Sequence, residues 1–399
     1  MIFLDRFSFE QDVSTRRFAC RVRHPELPEE LHFNCEGSAL PICGTPTANW
    51  AVMSLLWTAM SLGEDVEVGH CVSDDLLHTI HNDLQSLLLN YHPQLKRIRV
   101  HAFEVSCGGW NGNGIAATGF SAGVDSFATL ALYRRPEVPA DQRIECITLH
   151  DVGSMGPKSR SDTIFRQYSA RAARFAESAG LNWISIDSNL DDFMQMPNSD
   201  FIKTHTLRNV AAAYVFEDHF STYHYSSAVT YEQVNKGNRS TGLIDPMLLP
   251  LMSTRAMRLV SSGAGLSRIE KTRLIATDTN AMQLLDVCVG RVEHRAKAAK
   301  PNCGTCWKCS RTLVTLDALG VVDRFDAVFD LAAYRRNKYK AIRYIFVGQL
   351  RKSPLDQDLM RFLRARNFHL GSSTAMTLRA RVFMLRDWVR RQLRRRYVA

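Results

Sequence analysis

The segment Phe120-Ser121-Ala122-Gly123-Val124-Asp125-Ser126 constrains this chain more than any other. It follows Ile115-Ala116-Ala117-Thr118-Gly119-Phe120, a run of small and apolar residues that reads as a buried strand, and precedes a helical pattern carrying Phe127, Leu130, Leu132 and Tyr133. A strand that turns through small residues into a helix aims successive backbone N–H groups outward at the positive end of the helix dipole, where an anion is stabilised. The segment therefore reads as a phosphate-binding turn; the plainer reading is a structural strand-to-helix turn with Ser126 as N-cap.

No Gly-Lys-Ser/Thr follows the turn and no lysine lies within it, so it is not a Walker loop. It resembles the Ser-Gly-Gly-X-Asp-Ser loop of the PP-loop ATP pyrophosphatases, with Ala122 at the second position. The resemblance implies that ATP, with Mg2+, is cut between its α and β phosphates, that pyrophosphate rests in the loop, and that the adenylyl group passes to a substrate oxygen. It implies nucleotide contacts along Phe120, Ser121, Ala122, Gly123, Val124, Asp125 and Ser126, with Asp125 catalytic in orienting magnesium or the loop. At Ala122 a methyl replaces a hydrogen, which matters if the backbone there needs a positive φ.

From residue 115 onward strand and helix patterns alternate, which implies an α/β fold with a mostly parallel, doubly wound sheet. The resemblance implies the adenine nucleotide alpha hydrolase-like version of it. Expected strands are 144–150, 183–187 and 223–227, with helices at about 160–179 and 204–219. Ligands in such sheets bind at the C-terminal strand ends, so Asp151, Asp187 and Ser226-Ser227 are expected on one edge with the loop, and Asp151 is expected to contact the nucleotide. Lys203, His205 and Arg208 cluster at a helix start and are candidates for substrate or phosphate contact, Arg208 as a second catalytic residue.

Residues 1–114 read as a separate α+β module, with strands near 18–22, 31–35 and 98–103 and helices at 48–62 and 73–91. The turn Gly108-Gly109-Trp110-Asn111-Gly112-Asn113-Gly114 marks its expected end. The expected organisation is this module, a PP-loop domain at 115–287, a metal-binding segment at 288–320 and a basic helical region at 321–399. Substrate shaping or homodimerisation is the expected role of the first module.

The net charge is +10, but residues 321–399 hold 19 Lys+Arg against 6 Asp+Glu, which leaves −3 for the rest. The basic character thus belongs to the C-terminal region, whose last stretch, 377–398, reads as an Arg-rich amphipathic helix with Leu378, Val382, Phe383, Trp388 and Leu393 as its apolar residues. Docking of that helix is favoured over contact with RNA or phospholipid. The uncharged stretch Gly37–Gly63 is interrupted by Pro41, Gly44, Pro46 and Asn49, so the expectation is a buried helix with Trp50 and Trp57 on one face and no membrane span. The N-terminus lacks a signal pattern and the expected location is cytoplasmic. Ten cysteines in such a compartment point to metal or isolated core thiols.

Cys303-Gly304-Thr305-Cys306-Trp307-Lys308-Cys309 places three thiols at intervals of three, with Cys288 upstream as the fourth ligand and His294 in reserve. Spacing leaves zinc and an iron–sulfur cluster both open. The chain resembles the 7-cyano-7-deazaguanine synthases over roughly 115–320, since that PP-loop family follows its loop with a Cys…Cys-Gly-x-Cys-x-x-Cys zinc site; this resemblance implies Zn2+ on Cys288, Cys303, Cys306 and Cys309. Leu207-Arg208-Asn209 is similar to that family's Arg-Asn, and Asp245-Pro246-Met247-Leu248-Leu249-Pro250-Leu251 with Ser253-Thr254-Arg255 to its Pro-Leu…Thr-Lys stretch. Ser267 and Glu270 form a capping box, while Arg268 and Lys271 are candidates to face pyrophosphate.

The expected activity is ATP-dependent adenylation of a small-molecule carboxylate or amide, followed by attack of ammonia or an amine. The alternatives are a PP-loop enzyme acting on tRNA, with nucleic acid as a possible partner, and a non-catalytic nucleotide-binding protein.

Overall fold

The computed structural model describes residues 1–38, 47–107, 114–155, 158–195, 199–234, 240–289 and 300–396. The turn at 108–113, Cys43, His294 and the side chain of Leu393 lie outside the described residues. The chain divides into two compact units, Met1–Ser121 with Thr129–Ala264, and Ala122–Ala128 with Gly265–Ala399.

The first unit is built on one sheet of ten strands: β1 (Ile2–Gln11), β2 (Thr15–Arg23), β3 (Glu30–Gly37), β4 (Val66–Ser73), β5 (Val100–Ser106), β6 (Ile115–Gly119), β7 (Ile144–Asp151), β8 (Asn182–Ser188), β9 (Phe220–Ser226) and β10 (Arg258–Ser262). Their order is β10-β9-β6-β7-β8-β3-β2-β1-β4-β5. The five strands from β10 to β8 all run parallel. β8 then pairs antiparallel with β3, and among the described residues only β3-β2 and β2-β1 are antiparallel besides. The protein is thus α/β with a large, mostly parallel sheet.

Sequence pattern explains where each strand sits. β7 is buried at seven of its eight positions, the near-continuous apolar run of a strand covered on both faces, whereas Leu31, Phe33 and Cys35 alternate with more exposed partners along β3. The first strands, expected in a module of their own, extend the same sheet instead: Phe33 lies opposite Ser188 and Gly37 opposite Ile184. β1, β4 and β10 carry no clean alternation and were not expected from sequence.

The uncharged stretch becomes α1 (Asn49–Leu62), which is buried on every side from Asn49 to Met60 and ends at Gly63 with φ of 74°. Trp50 packs edge-on against Phe33 at 5.6 Å, and the Trp57 indole donates to Ser199 at 2.9 Å. Among the described residues no helix is long and apolar enough to cross a membrane. The remaining principal helices are α2 (Val124–Tyr133), α3 (Lys158–Ala179), α4 (Phe201–Tyr214), α5 (Arg268–Ile275), α6 (Trp307–Ala318), α7 (Lys338–Leu350), α8 (Pro354–Ala365) and α9 (Ser373–Arg396). α4 starts earlier than expected because Asp200 caps it, its carboxylate accepting from the Lys203 N–H.

In the second unit a buried asparagine ties the segments that flank α6, and a buried carboxylate ties α6 to α8. Asn302 donates to the carbonyls of Leu285 (2.7 Å) and Val328 (3.0 Å) and accepts from the Val287 N–H. Arg311 of α6 grips Asp356 of α8, with Nε at 2.6 Å from Oδ1, while Trp307 lies 4.9 Å from the guanidinium.

Candidate functional site

β6 delivers the chain into the loop, and the division into units falls after Ser121. On the first side, the Phe120 N–H donates to the Thr148 carbonyl at 2.8 Å and its ring stacks on Phe175 with centroids 4.6 Å apart, while Ser121 is exposed. On the second side, Ala122 adopts φ of 55°, the left-handed region that favours glycine, and its carbonyl accepts from the Asp286 N–H at 2.8 Å. The helix begins at Val124, so Ser126 lies inside the first turn rather than at the N-cap; its hydroxyl donates back to the Gly123 carbonyl at 3.0 Å.

Asp125 projects from that first turn and meets two cations of α5. Arg268 Nη2 lies 2.8 Å and Lys271 Nζ 3.5 Å from its carboxylate. The capping box expected at Ser267 and Glu270 is present, and it fixes the start of α5 so that these two cations point the same way. Lys271 is 2% exposed, and burial together with Arg268 pushes its ammonium below the usual lysine range, partly offset by Asp125. Lys308 of α6 lies within electrostatic reach of both Asp125 and Arg268. Arg268, Lys271 and Lys308 thus gather around Asp125 beside Ala122–Ser126, where Asp286 also approaches through its N–H. Sequence reasoning missed Lys308 because it lies inside the Cys-x-x-Cys turn and was overshadowed by its thiols.

In the first unit, Asp151 ends β7 opposite Asp187 of β8, and Ser226 of β9 stands opposite Ser262 of β10, so the expected residues share the C-terminal edge of the sheet. Asp187 also lines a groove of about 500 Å³ with Arg17, Asn34, Glu36, Ser185 and Phe165. Arg208 is 1% exposed and fully engaged within the unit: it donates to Thr204 (2.7 Å), to the Val152 carbonyl (2.9 Å) and to Asp191 (2.6 Å). It thereby ties the loop after Asp151 to α4. Gly153, with φ of 106°, leaves room for that guanidinium, because a Cβ there would lie 2.4 Å from Arg208 Nη1.

His205 is half-buried, bonded to the Tyr225 hydroxyl at 2.9 Å, and pushed down to about 4 by desolvation. Lys203 pairs with Asp200 at 3.1 Å. Of the scattered thiols, Cys20 and Cys146 are pushed well above the ordinary range by burial, which makes them poor nucleophiles.

The four expected thiols converge. The Sγ atoms of Cys288, Cys303, Cys306 and Cys309 all lie within 4.8 Å of one another, with Cys288 to Cys306 and Cys303 to Cys309 both at 4.0 Å. Tetrahedral zinc with Zn–S near 2.3 Å needs sulfurs roughly 3.8 Å apart, so the donor set fits a metal such as zinc with little adjustment. Gly304, at φ of 68°, makes the turn between the first two thiols of the run. The Cys303 sulfur accepts from the Cys306 N–H at 3.3 Å, and the Cys306 sulfur from the Cys309 N–H at 3.5 Å. Hydrogen bonds from the Cys288 and Cys309 thiols hold Cys306 down to about 3, while hydrogen bonds with Cys288 and Cys306 push Cys309 up.

No family model, curated protein or solved structure matches the chain.

Proposed function

We propose that this chain is an ATP-dependent, adenylate-forming enzyme of the PP-loop kind, akin to the 7-cyano-7-deazaguanine synthases. The observation that carries the reading is the convergence of Arg268 and Lys271 on Asp125 in the first turn after β6, with Lys308 in electrostatic reach. Strand order supports it: the parallel strands run β10-β9-β6-β7-β8, so the order reverses beside β6, the strand that feeds the loop. Nucleotide-binding α/β sheets bind their ligand at such a reversal, which favours an adenine nucleotide alpha hydrolase-like identity for this sheet.

In this reading a carboxylate or amide oxygen of a small substrate attacks the α-phosphorus of ATP. The bond to the β-phosphate breaks and pyrophosphate leaves into the loop. Ammonia or an amine then displaces AMP to give an amide, and a second round on the amide gives a nitrile. Arg268, Lys271 and Lys308 supply the fixed positive charge that a Walker lysine supplies elsewhere, and Asp125 holds the first two in position. Arg268 holds Oδ2 of Asp125 at 2.8 Å, while among the described residues Oδ1 is buried without a hydrogen-bond partner and has only the Lys271 ammonium 3.5 Å away. Zinc on the four thiols contributes folding energy.

The test is product analysis with labelled ATP and candidate carboxylates. AMP and pyrophosphate are expected, and Arg268→Ala or Lys271→Met should lower kcat by about 10²–10³-fold with an unchanged circular dichroism spectrum. ADP and phosphate as products, or full turnover in both variants, would overturn the proposal.

A further inference from the structure

α9 is apolar on two opposite sides. On one, Met376 and Ala380 are buried, Phe383 packs edge-on against Tyr344 of α7 with centroids 6.0 Å apart and lies 4.9 Å from the Arg343 guanidinium, and Asp387 pairs with Arg351 at 3.3 Å. These positions recur every three or four residues and form the face that docks on the bundle. On the other side Leu378, Val382, Leu385 and Trp388 recur with the same spacing and are 63, 42, 62 and 59% exposed. Docking accounts for the first face and leaves the second in solvent. Trp388, expected from sequence among the docking residues, belongs to the second.

The charges around this second face select its partner. Arg379 and Arg386 border it on one flank and Arg381 stands between Leu385 and Trp388, all exposed, and the one acid of α9, Asp387, is turned to the docked side. A second copy of the same face would bring arginine against arginine. RNA would engage the arginines and Trp388, but Leu378, Val382 and Leu385 can neither stack on a base nor bond a phosphate. A leaflet of anionic phospholipid satisfies both components at once. The leucines, valine and tryptophan enter the acyl boundary while the arginine stems lie along it and place their guanidinium groups among the headgroup phosphates.

We propose that α9 is an interfacial helix that seats the protein on an anionic bilayer surface, lying on the membrane without crossing it.

The experiment is flotation of the full chain with phosphatidylglycerol-containing vesicles against pure phosphatidylcholine vesicles. Binding to the anionic vesicles is expected, with a loss of about tenfold or more in the Leu378→Ser/Leu385→Ser variant, since two side chains forfeit their transfer out of water. Arg379→Gln/Arg381→Gln/Arg386→Gln should erase the preference for anionic lipid. Both sets of positions are exposed, and circular dichroism checks the fold; should the double variant unfold, Trp388→Ala supplies the same comparison. Absence of flotation, or flotation unchanged by the leucine substitutions, overturns the proposal. Loss of RNA retention or of a dimer in the leucine variant, without an effect on vesicles, overturns it too and assigns the face to that partner.

Discussion

Ala122 occupies a conformation that costs an L-residue about 1–2 kcal/mol, because its Cβ crowds the following carbonyl. Ala122→Gly should therefore match or raise stability by up to ~1 kcal/mol, the relief being partly offset by the freedom glycine gains when unfolded. Ala122→Val should lose more than ~1 kcal/mol, since a branched side chain tolerates positive φ least. Denaturant midpoints on the three chains check the order Gly ≥ Ala > Val. Gly153 is the opposite case, a residue that cannot be replaced without collision. Gly153→Ala would put a methyl 2.4 Å from Arg208 Nη1 and hold an L-residue at φ of 106°, and should cost about 1–3 kcal/mol in backbone strain.

Two buried carboxyls set a pH dependence at the same scale. Glu217, bonded by Thr47 and Asn49, and Asp245, bonded by Thr206, are each raised to about 7 by burial. A carboxyl whose folded pKa lies above its unfolded value favours the fold while protonated. That contribution is complete below about pH 4 and fades as pH rises through 7. Stability of the first unit should accordingly fall between about pH 4 and 7 by on the order of a few kcal/mol, and Glu217→Gln with Asp245→Asn should flatten the decline. Thermal midpoints that rise over that interval in the parent chain would contradict the assignment.

Among the elements, the cysteine segment leads into α6 and is held by its own turn and by Asn302. One zinc per chain is the expected metal content, and Cys306→Ser or chelation should lower the melting temperature of the second unit, because binding energy there is folding energy. Metal analysis decides this, and stoichiometric iron with absorbance near ~400 nm would indicate a cluster. Three of the thiols and the β6–loop–α2 unit were legible in the sequence because their signals are local, each packed into a run of seven residues, and Cys288 followed as the nearest upstream thiol. The cations on Asp125 were harder to read. A capping box accounts for Ser267 and Glu270 without stating what Arg268 and Lys271 face, and their partner lies far back in the chain. Arg208 was legible as a residue at a helix start but not as the buried tie between α4 and Val152, since burial of an arginine is a tertiary fact.

At the scale of the molecule, the sheet places the first strands against β8 and buries α1 beside α4. A fragment beginning at residue 115 would expose the edge of β8 and the face of α4 at Leu207, Val210 and Ala211, all buried in the whole chain. It should aggregate or remain unfolded, whereas a soluble, cooperatively melting fragment would restore the separable module that composition suggests. The sequence concealed this continuity because each strand pattern reports its own periodicity and never its neighbour.

The pairing of β3 with β8 also has a consequence in time. Phe33 and Ser188 stand opposite each other, so a ribosome must add about 150 residues, at roughly 5–20 residues per second, before the early strands meet their partner. For about ten to thirty seconds the nascent β1–β3 meander carries an unpaired edge, the interval in which strand pairing with another chain competes with folding.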